Sequence, residues 1–323
     1  MPTTPARTAK SLPTRVAGRL SYELHHRAPA PVVSAVERVD YSRRLFATRN
    51  PVTFNDKVHY KMLRDHRPLL AQWADKVAVR DYVRDTVGPE ILTHVYAVAD
   101  DLSAVDRAAL PRNFVVKVNH ACGGVVLVND RLSPDAALPD AMGAWTYFLV
   151  HPDALDWNRL EAAVRNWLAR TYGGGEYREW AYAAIAPKVL VEELLVPAHG
   201  AAPADYKLFT FGGKVRIVQV DSDRHEAHRQ NLFAPDWTPL PATLAAPPLE
   251  PPPERPHTLE RMIEVAEQLS AGVDLVRVDL YDVDGRVVFG ELTSYPLGGT
   301  TRFEPPSFEQ LAGSWWHVPS RYT

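Results

Sequence analysis

Lys117 ends a short apolar run, Phe114–Val118, and the loop Asn119-His120-Ala121-Cys122-Gly123-Gly124 follows before a second apolar run, Val125–Val128. Glycines let backbone N–H groups approach phosphate oxygens closely, and the lysine adds a point charge. The spacing is neither a Walker A loop nor a dinucleotide fingerprint, and an ordinary hairpin loop with a surface lysine reads equally well. A second set is Arg277, Asp279, Glu291 and Thr293, polar residues inside two otherwise apolar runs. Charges in such places are costly unless paired or bound to metal. Pairing by a three-residue turn would set Asp279 opposite Glu291; a strict two-residue turn at Asp284-Gly285 would set it opposite Gly290 and send Glu291 to the other face. Convergence would make a hard-oxygen site suited to magnesium beside a polyphosphate. The plainer reading pairs Asp279 with Arg277 or with a lysine on a neighbour.

The third set is Glu192 and Glu193 with Leu194 and Leu195, followed by Asp205 and Lys207. A hinge strand offers backbone groups to the edge of a base, and the leucines offer an apolar face. Lys207 alternates with Phe209 and Phe211 and shares their face, so it needs an anionic partner or must snorkel to water. The fourth set, Asp221, Asp223, His225 and His228, has the donors of a transition-metal site, but Arg224 and Arg229 interleave with them and oppose a cation. Arginines meeting phosphate or carboxylate fit that composition better. His120 and Cys122 lack the orienting third group that a Cys–His nucleophile needs. Trp315-Trp316 reads as core or interface packing, with sugar stacking or a homo-oligomer contact as the alternatives.

Elements that could position these groups follow from the pattern. Residues 54–86 read as helical, interrupted at Pro68, with Asp75 capping a second helix that carries Lys76, Val79, Tyr82 and Val83. Strands are expected at Ile91–Val98, Phe114–Val118, Val125–Val128 and Lys188–Leu195, with a helix over Leu155–Tyr172 stopped by Gly173-Gly174-Gly175. Tyr206–Phe211 and Lys214–Asp221 form a hairpin about Gly212-Gly213, and Leu275–Tyr281 and Val287–Thr293 form another about Asp284-Gly285. Residues 235–256 hold a proline cluster and read as an extended surface linker. Thr258–Ser270 is the clearest helix, with Leu259, Met262, Ile263, Ala266 and Leu269 in one stripe, Thr258 as N-cap and Gly272 beyond its end. Helices first, then mixed strands and helices, point to an α+β or mixed α/β fold.

Composition sets the outer bounds. In 323 residues, 46% hydrophobic and 23% charged, there is enough apolar material for a sizeable core. The formal charge of -3 gives no support for a nucleic-acid-coating protein. One cysteine excludes an internal disulfide and a multi-cysteine zinc site, and fits a reducing compartment. No apolar run approaches the ~18 residues of a membrane span, so a cytoplasmic location is expected. The basic start, with Arg7, Lys10, Arg15 and Arg19, has no apolar segment of a secretory signal and reads as a loose tail.

In this order the motifs resemble the ATP-grasp superfamily, and more closely its TupA-like (teichuronopeptide biosynthesis) branch. The resemblance runs from about Phe54 to Gly299 and rests on FNDKVHYKML, Asp75-Lys76, FVVKVNHACGG, KVLVEELL, DYKLFTFGGKVRIVQVDSDRH and LVRVDLYDVDGRVVFGELTSYP. It implies an ATP-grasp fold with a helical N-terminal region (1–75), a central lid domain (76–190) and a C-terminal domain (191–323), with ATP and Mg2+ between the last two. It implies that Lys117 and Lys76 contact phosphates beside Gly123 and Gly124, and that Glu192, Glu193, Leu194 and Leu195 hold adenine. Asp205 and Lys207 would then lie near ribose and phosphates, Arg229 and Asn231 on the phosphate side, and Asp279, Glu291 and Thr293 on magnesium. Thr293 stands where the superfamily usually has Asn. The implied activity is ATP-dependent ligation of a carboxylate to an amine through an acylphosphate, with Arg229, Lys207 and Lys117 catalytic, on a cell-envelope glycan or peptide natural-product precursor. A kinase-like transfer to a sugar, a non-catalytic nucleotide- or glycan-binding protein and a histidine-centred metal hydrolase are the alternatives.

Overall fold

Alternating β-branched runs make ten strands among the described residues, and they divide between two five-stranded sheets. The computed structural model describes residues 48–143, 146–172, 179–198, 202–222 and 228–323; contacts divide the chain after Asn50, and the account below concerns residues 51–323. The first sheet holds β1 (Val95–Ala99), β2 (Phe114–Val118), β3 (Val125–Val128), β4 (Tyr147–Val150) and β5 (Val189–Glu193) in the order β1-β5-β2-β3-β4. Its pairs are antiparallel except β3–β4. The second sheet is wholly antiparallel: β6 (Ala204–Phe211), β7 (Lys214–Ser222), β8 (Arg229–Phe233), β9 (Leu275–Val283) and β10 (Arg286–Thr293), ordered β10-β9-β6-β7-β8.

Each sheet buries one face under helices. The helices among the described residues are α1 (Phe54–Arg64), α2 (Pro68–Ala74), α3 (Val79–Thr86), α4 (Trp157–Leu168), α5 (Trp180–Ala183), α6 (Leu259–Leu269) and α7 (Pro306–Trp315). Leu160, Val164 and Trp167 of α4 pack on Val116, Val118 and Val126 of the first sheet. Met262, Val265 and Leu269 of α6 pack with Val83 of α3 on Leu208, Val218 and Val278 of the second. The opposite face of the second sheet is apolar only at one end, where Phe54 of α1 meets Phe209 and Phe303 edge-on at 6.1 and 5.3 Å. The other end of that face is polar.

A buried ion network ties α1 to the C-terminus. Lys61 Nζ donates to Asp65 Oδ2 at 2.9 Å and to Asp274 Oδ1 at 2.6 Å, and Trp316 Nε1 and Tyr322 Oη donate to Asp274 Oδ2, each at 2.8 Å. Trp316 is fully buried in this chain's own core, which settles its reading as packing. Tyr322→Phe removes one hydrogen bond to a carboxylate that keeps its other donors; a loss of about 1–2 kcal/mol is expected in urea unfolding, and no change would remove Tyr322 from the network.

Three expectations need correction. Asp75 ends α2 and does not cap α3: its Oδ1 accepts from the amide of Val77 at 2.8 Å, so local side-chain bonding competes with the helix and leaves Lys76 in a turn. Thr258 stands at the start of α6, but its hydroxyl donates to Asp282 Oδ2 at 2.6 Å and caps nothing. The proline segment is no free linker: Gln230 N donates to Pro247 O at 3.0 Å, and Leu249 exchanges two bonds with Asn231. Strands and helices otherwise fall near their expected places with ends shifted, as in α4, which Asp156 caps through Arg159 N at 3.1 Å. The Gly173–Gly175 stop lies outside the described residues.

Candidate nucleotide and metal site

Period-two alternation on the second sheet decides which polar residues share a face. The cross-strand partners Glu291–Asp279, Asp279–Lys207, Lys207–Gln219, Asp205–Asp221 and Asp221–Gln230 place one polar row across all five strands. At its centre Lys207 Nζ donates to Asp205 Oδ2 at 2.7 Å and to Asp279 Oδ2 at 2.8 Å, with Asp221 Oδ2 3.9 Å away. Gln219 and Gln230 each donate to Asp221 Oδ1, at 3.0 and 2.9 Å, and His228 Nε2 lies 3.4 Å from it. Lys207 therefore does not snorkel; it is a buried cation held by carboxylates, as the alternation with Phe209 requires.

The turn geometry at Asp284-Gly285 did not decide the pairing of Asp279. The turn is a two-residue one, with φ of 53° and 84°, and Val283 pairs with Arg286. The register then shifts between Phe289 and Glu291, so Gly290 bulges and Glu291 comes to face Asp279. A Cβ on Gly290 would lie 3.0 Å from the Asp279 carbonyl oxygen and 3.1 Å from the Tyr281 ring, so only glycine fits the bulge without displacement.

Arg277 binds this end together. Its Nε donates to Asp279 Oδ1 at 2.7 Å, and its Nη2 donates to Asp279 Oδ2 at 2.7 Å, Glu291 Oε1 at 3.1 Å and Thr293 Oγ1 at 3.0 Å. Thr293 Oγ1 also donates to Glu291 Oε1 at 3.1 Å. Three oxygen-bearing side chains thus surround one cationic nitrogen, all hard donors of the kind magnesium takes. Among the described residues, no three His, Cys, Asp or Glu side chains form a metal site by themselves. The donor set fits a magnesium ion whose remaining ligands come from phosphate or water.

Charge is tuned accordingly. Burial pushes the Glu291 carboxyl up, but Lys76, Arg277 and Lys207 together pull it down to about 2. Solvent still reaches 39% of its side chain, which screens part of that attraction. Burial pushes Asp279 up, the Arg277 fork and Lys207 oppose it, and Glu291 adds to the rise. The sign for Glu291 is that of a depressed acid. What its ion pairs contribute is complete above the unfolded value of about 4.3 and is lost only as pH falls through about 2. The ratio of magnesium-nucleotide affinities of wild type and Glu291→Gln is therefore expected to stay constant from about pH 5 to 8. A ratio that drifts over this interval would show that Glu291 titrates there.

The first sheet and the turn beside its glycine loop supply Lys117 and Lys76. Lys117 ion-pairs with Glu192 Oε1, Thr93 Oγ1 donates to Glu192 Oε2 at 2.9 Å, and Arg80 Nη1 stands 3.6 Å from the same oxygen. Lys117 is thus a strand residue with a buried partner, not a surface-loop lysine. Lys76 Nζ donates to Ala121 O of the glycine loop at 2.6 Å. Burial lowers its pKa, Glu291 raises it, and Lys117 lowers it again, so Lys76 lies in electrostatic reach of both sheets' charged groups. Gly123 and Gly124 have φ of 93° and 68°, and a Cβ on Gly124 would lie 3.0 Å from Val118 Cγ2. The Gly124 amide donates to Thr146 O at 3.1 Å, so it ties the loop to the residue that leads into β4. Packing around Cys122, and next the charge of Glu291, push its thiol up, which opposes a thiolate nucleophile. Glu193 ends β5; its amide donates to His94 O at 2.8 Å, and Leu194 and Leu195 continue half-buried beyond it.

Two expected members stand apart. Asn231 pairs with Val220, which packs under α6, so it occupies the other face of the second sheet from Lys207, and its side chain is engaged by Leu249. Arg229 is two residues before it and has the same parity. Gln230 stands with the polar row in their place. Asp223, Arg224 and His225 lie outside the described residues. Arg277 entered the sequence reading only as a partner for Asp279; its position two residues earlier, on the same face, was the signal of a larger part.

With Lys117 on one sheet, Lys76 in the turn against its glycine loop, and Lys207 and the oxygen donors on the other sheet, this two-sheet mixed α/β chain has an ATP-grasp fold. The chain belongs to the TupA-like ATP-grasp family, whose sequence profile matches residues 56–316. No curated protein matches it. Among solved structures it is similar to the ATP-grasp ligase PsnB complexed with a minimal precursor, at 15% identity over 71% of this chain and 53% of that one, TM-score 0.35. It is similar also to D-alanine–D-alanine ligase from Bacillus anthracis complexed with ATP, at 14% identity over 70% and 56%, TM-score 0.38. A third is N5-carboxyaminoimidazole synthetase from Staphylococcus aureus complexed with ADP, at 12% identity over 77% and 52%, TM-score 0.38. The matched part spans about half the length of these proteins. No described helix is long and apolar enough to cross a membrane.

Proposed function

We propose that this protein is an ADP-forming carboxylate–amine ligase that acts on a cell-envelope glycan or peptide natural-product precursor in the cytoplasm. The observation that carries the reading is the gathering of Asp279, Glu291 and Thr293 about one cationic nitrogen beside Lys207, in a member of this family. In the proposed reaction a substrate carboxylate oxygen attacks the γ-phosphorus of ATP and the bond to the bridging oxygen of ADP breaks. The amine nitrogen then attacks the acyl carbon, the bond to phosphate breaks, and the amine's proton leaves with the phosphate or to solvent.

Asp279, Glu291 and Thr293 would hold magnesium, which when bound neutralises charge on phosphate oxygens. Lys207 and Lys117 supply fixed positive charge toward the same oxygens, and Lys76 does so from the glycine loop. Arg277, on the face of the metal donors, is better placed than Arg229 to meet an oxyanion at the acyl carbon. Glu192 and Glu193 with Leu194 and Leu195 would receive the base, and Asp205 the ribose side. No protein nucleophile is required.

Calorimetric titration of magnesium-ADP tests this. Binding is expected that requires magnesium and weakens about tenfold or more in Lys117→Ala, the loss of one charge-assisted phosphate contact. Since that variant also strips Glu192 of one of its two cationic partners and leaves it Arg80, a modest loss of stability is expected with it. Binding to wild type that ignores magnesium, or an unchanged Kd in Lys117→Ala, would reject the assignment.

A further inference from the structure

Asn119 is fully buried and lies outside the polar row, yet every polar group of its side chain is used. Its Oδ1 accepts from Lys188 N at 2.7 Å, and its Nδ2 donates to Asp75 Oδ1 at 2.9 Å and to Ala186 O at 3.1 Å. Its main chain does the same work: Asn119 N donates to Lys188 O at 3.0 Å, and Asn119 O accepts from Lys76 N at 3.1 Å. One residue therefore joins three segments. These are the Asp75–Val77 turn that carries Lys76, the glycine loop that begins at Asn119, and the start of β5, which leads to Glu192. Asp75 completes the device, because its Oδ1 also accepts from Val77 N and so shapes the turn around Lys76. His120 secures the next residue of the loop, its Nε2 lying 3.0 Å from Arg170 O. The loop is thus pinned at Asn119 and His120 on one side and at Gly124 on the other, and Ala121 meets Lys76 between them.

We propose that Asn119 is a positioning residue for nucleotide binding: through Asp75 it sets the place of Lys76 against the glycine loop. The inference rests on the reading of this site as a nucleotide site. Asn is suited because it presents a donor to the Asp75 carboxylate and an acceptor to the Lys188 amide at once. An aspartate of the same shape keeps the acceptor but sets a carboxylate against Asp75, a repulsion at hydrogen-bond distance in a buried place. Restoring a donor at position 75 relieves the clash with Asp75, since an asparagine there can donate to the new carboxylate while its own oxygen still accepts from Val77; the Ala186 carbonyl is left without its donor in both variants.

Cys122 is the only cysteine; the residue is exposed in the same loop although neighbouring atoms crowd its sulfur, so its rate of reaction with a water-soluble aromatic disulfide rises when the loop loosens, without any nucleotide. The experiment measures this rate, and magnesium-ADP affinity by calorimetry, in wild type, Asn119→Asp, Asp75→Asn and the double variant. Asn119→Asp is expected to label faster and to bind magnesium-ADP about tenfold more weakly, the loss of a hydrogen bond to a charged group. Asp75→Asn is expected to move both readouts in the same direction but by less, and the double variant to lie nearer wild type than Asn119→Asp in both; recovery is partial because the Ala186 carbonyl loses its donor in either case. Unchanged labelling in Asn119→Asp overturns the proposal. So does a double variant no nearer wild type than Asn119→Asp. Should Asn119→Asp fail to fold, the double variant decides alone: it folds where the single variant does not, or the proposal falls. A wild type that does not bind magnesium-ADP would reject the nucleotide reading, and the labelling rates without nucleotide would still report whether Asn119 places the loop.

Discussion

Glu291→Gln is expected to lower the rate of amine-dependent ADP release by about a thousandfold, the scale of removing one preorganised electrostatic group from a reacting centre. The substitution keeps shape and hydrogen-bonding capacity but deletes the charge. That charge is the one Lys76, Arg277 and Lys207 hold ionised, and the Glu291 oxygen is the one shared by Arg277 Nη2 and Thr293 Oγ1. Asp279 cannot replace it, because its single charge already balances Arg277 and Lys207 and the site is then one negative charge short. The variant should also lose affinity for magnesium in the presence of ADP, read by competition with a manganese probe. Its melting temperature should change little, since solvent reaches 39% of the Glu291 side chain and an ion pair open to water contributes little. Turnover within tenfold of wild type, in a folded variant, would reject the magnesium role and leave Asp279 and Arg277 as a structural ion pair.

The elements that carry this site were largely readable, and the reason is local. Phe114–Val118 and Val125–Val128 flank their glycine loop as two β-branched runs must, and Gly212-Gly213 takes φ of 57° and 77°, values that favour glycine. The stripe of α6 is periodic enough to fix its buried face without tertiary information. Elements decided by packing were less readable. Tyr147–Val150 is four residues long and gains strand character only by lying parallel to β3, and Pro306–Trp315 is helical largely because Phe308 and Ala312 find the core under α1. Site residues follow the same division. Lys207 declared its face by alternating with Phe209, and its partners followed from that. Arg229 and Asn231 have the chemistry of a phosphate site, but parity along β8 sends them to the opposite face, which composition cannot reveal. Asn119 gave no signal at all, because its value lies in contacts with residues 44 and 69 positions away.

Gly290→Val is expected to cost about 1–3 kcal/mol of stability, the range for overpacking a tight site, and to reduce ADP release by about a hundredfold. A side chain at this position meets the Asp279 carbonyl oxygen and the Tyr281 ring at 3.0 and 3.1 Å from its first carbon, so β9 and β10 must part where the oxygen donors meet. The parity argument makes a sharper demand. From the turn to Phe289 the strands pair without interruption, and the one added residue at Gly290 carries Glu291 and Thr293 onto the face of Asp279 and Arg277. Deleting Gly290 removes the bulge but leaves Glu291 to take the next regular place, which is again opposite Asp279. The deletion should therefore retain more activity than the valine variant, although it changes the chain more. Activity lost equally in both would mean that the bend of the bulge matters, and not only the face on which Glu291 emerges. A valine variant with full activity would show that β10 accepts a side chain there, and the close approach of Gly290 to Asp279 would then carry no functional weight.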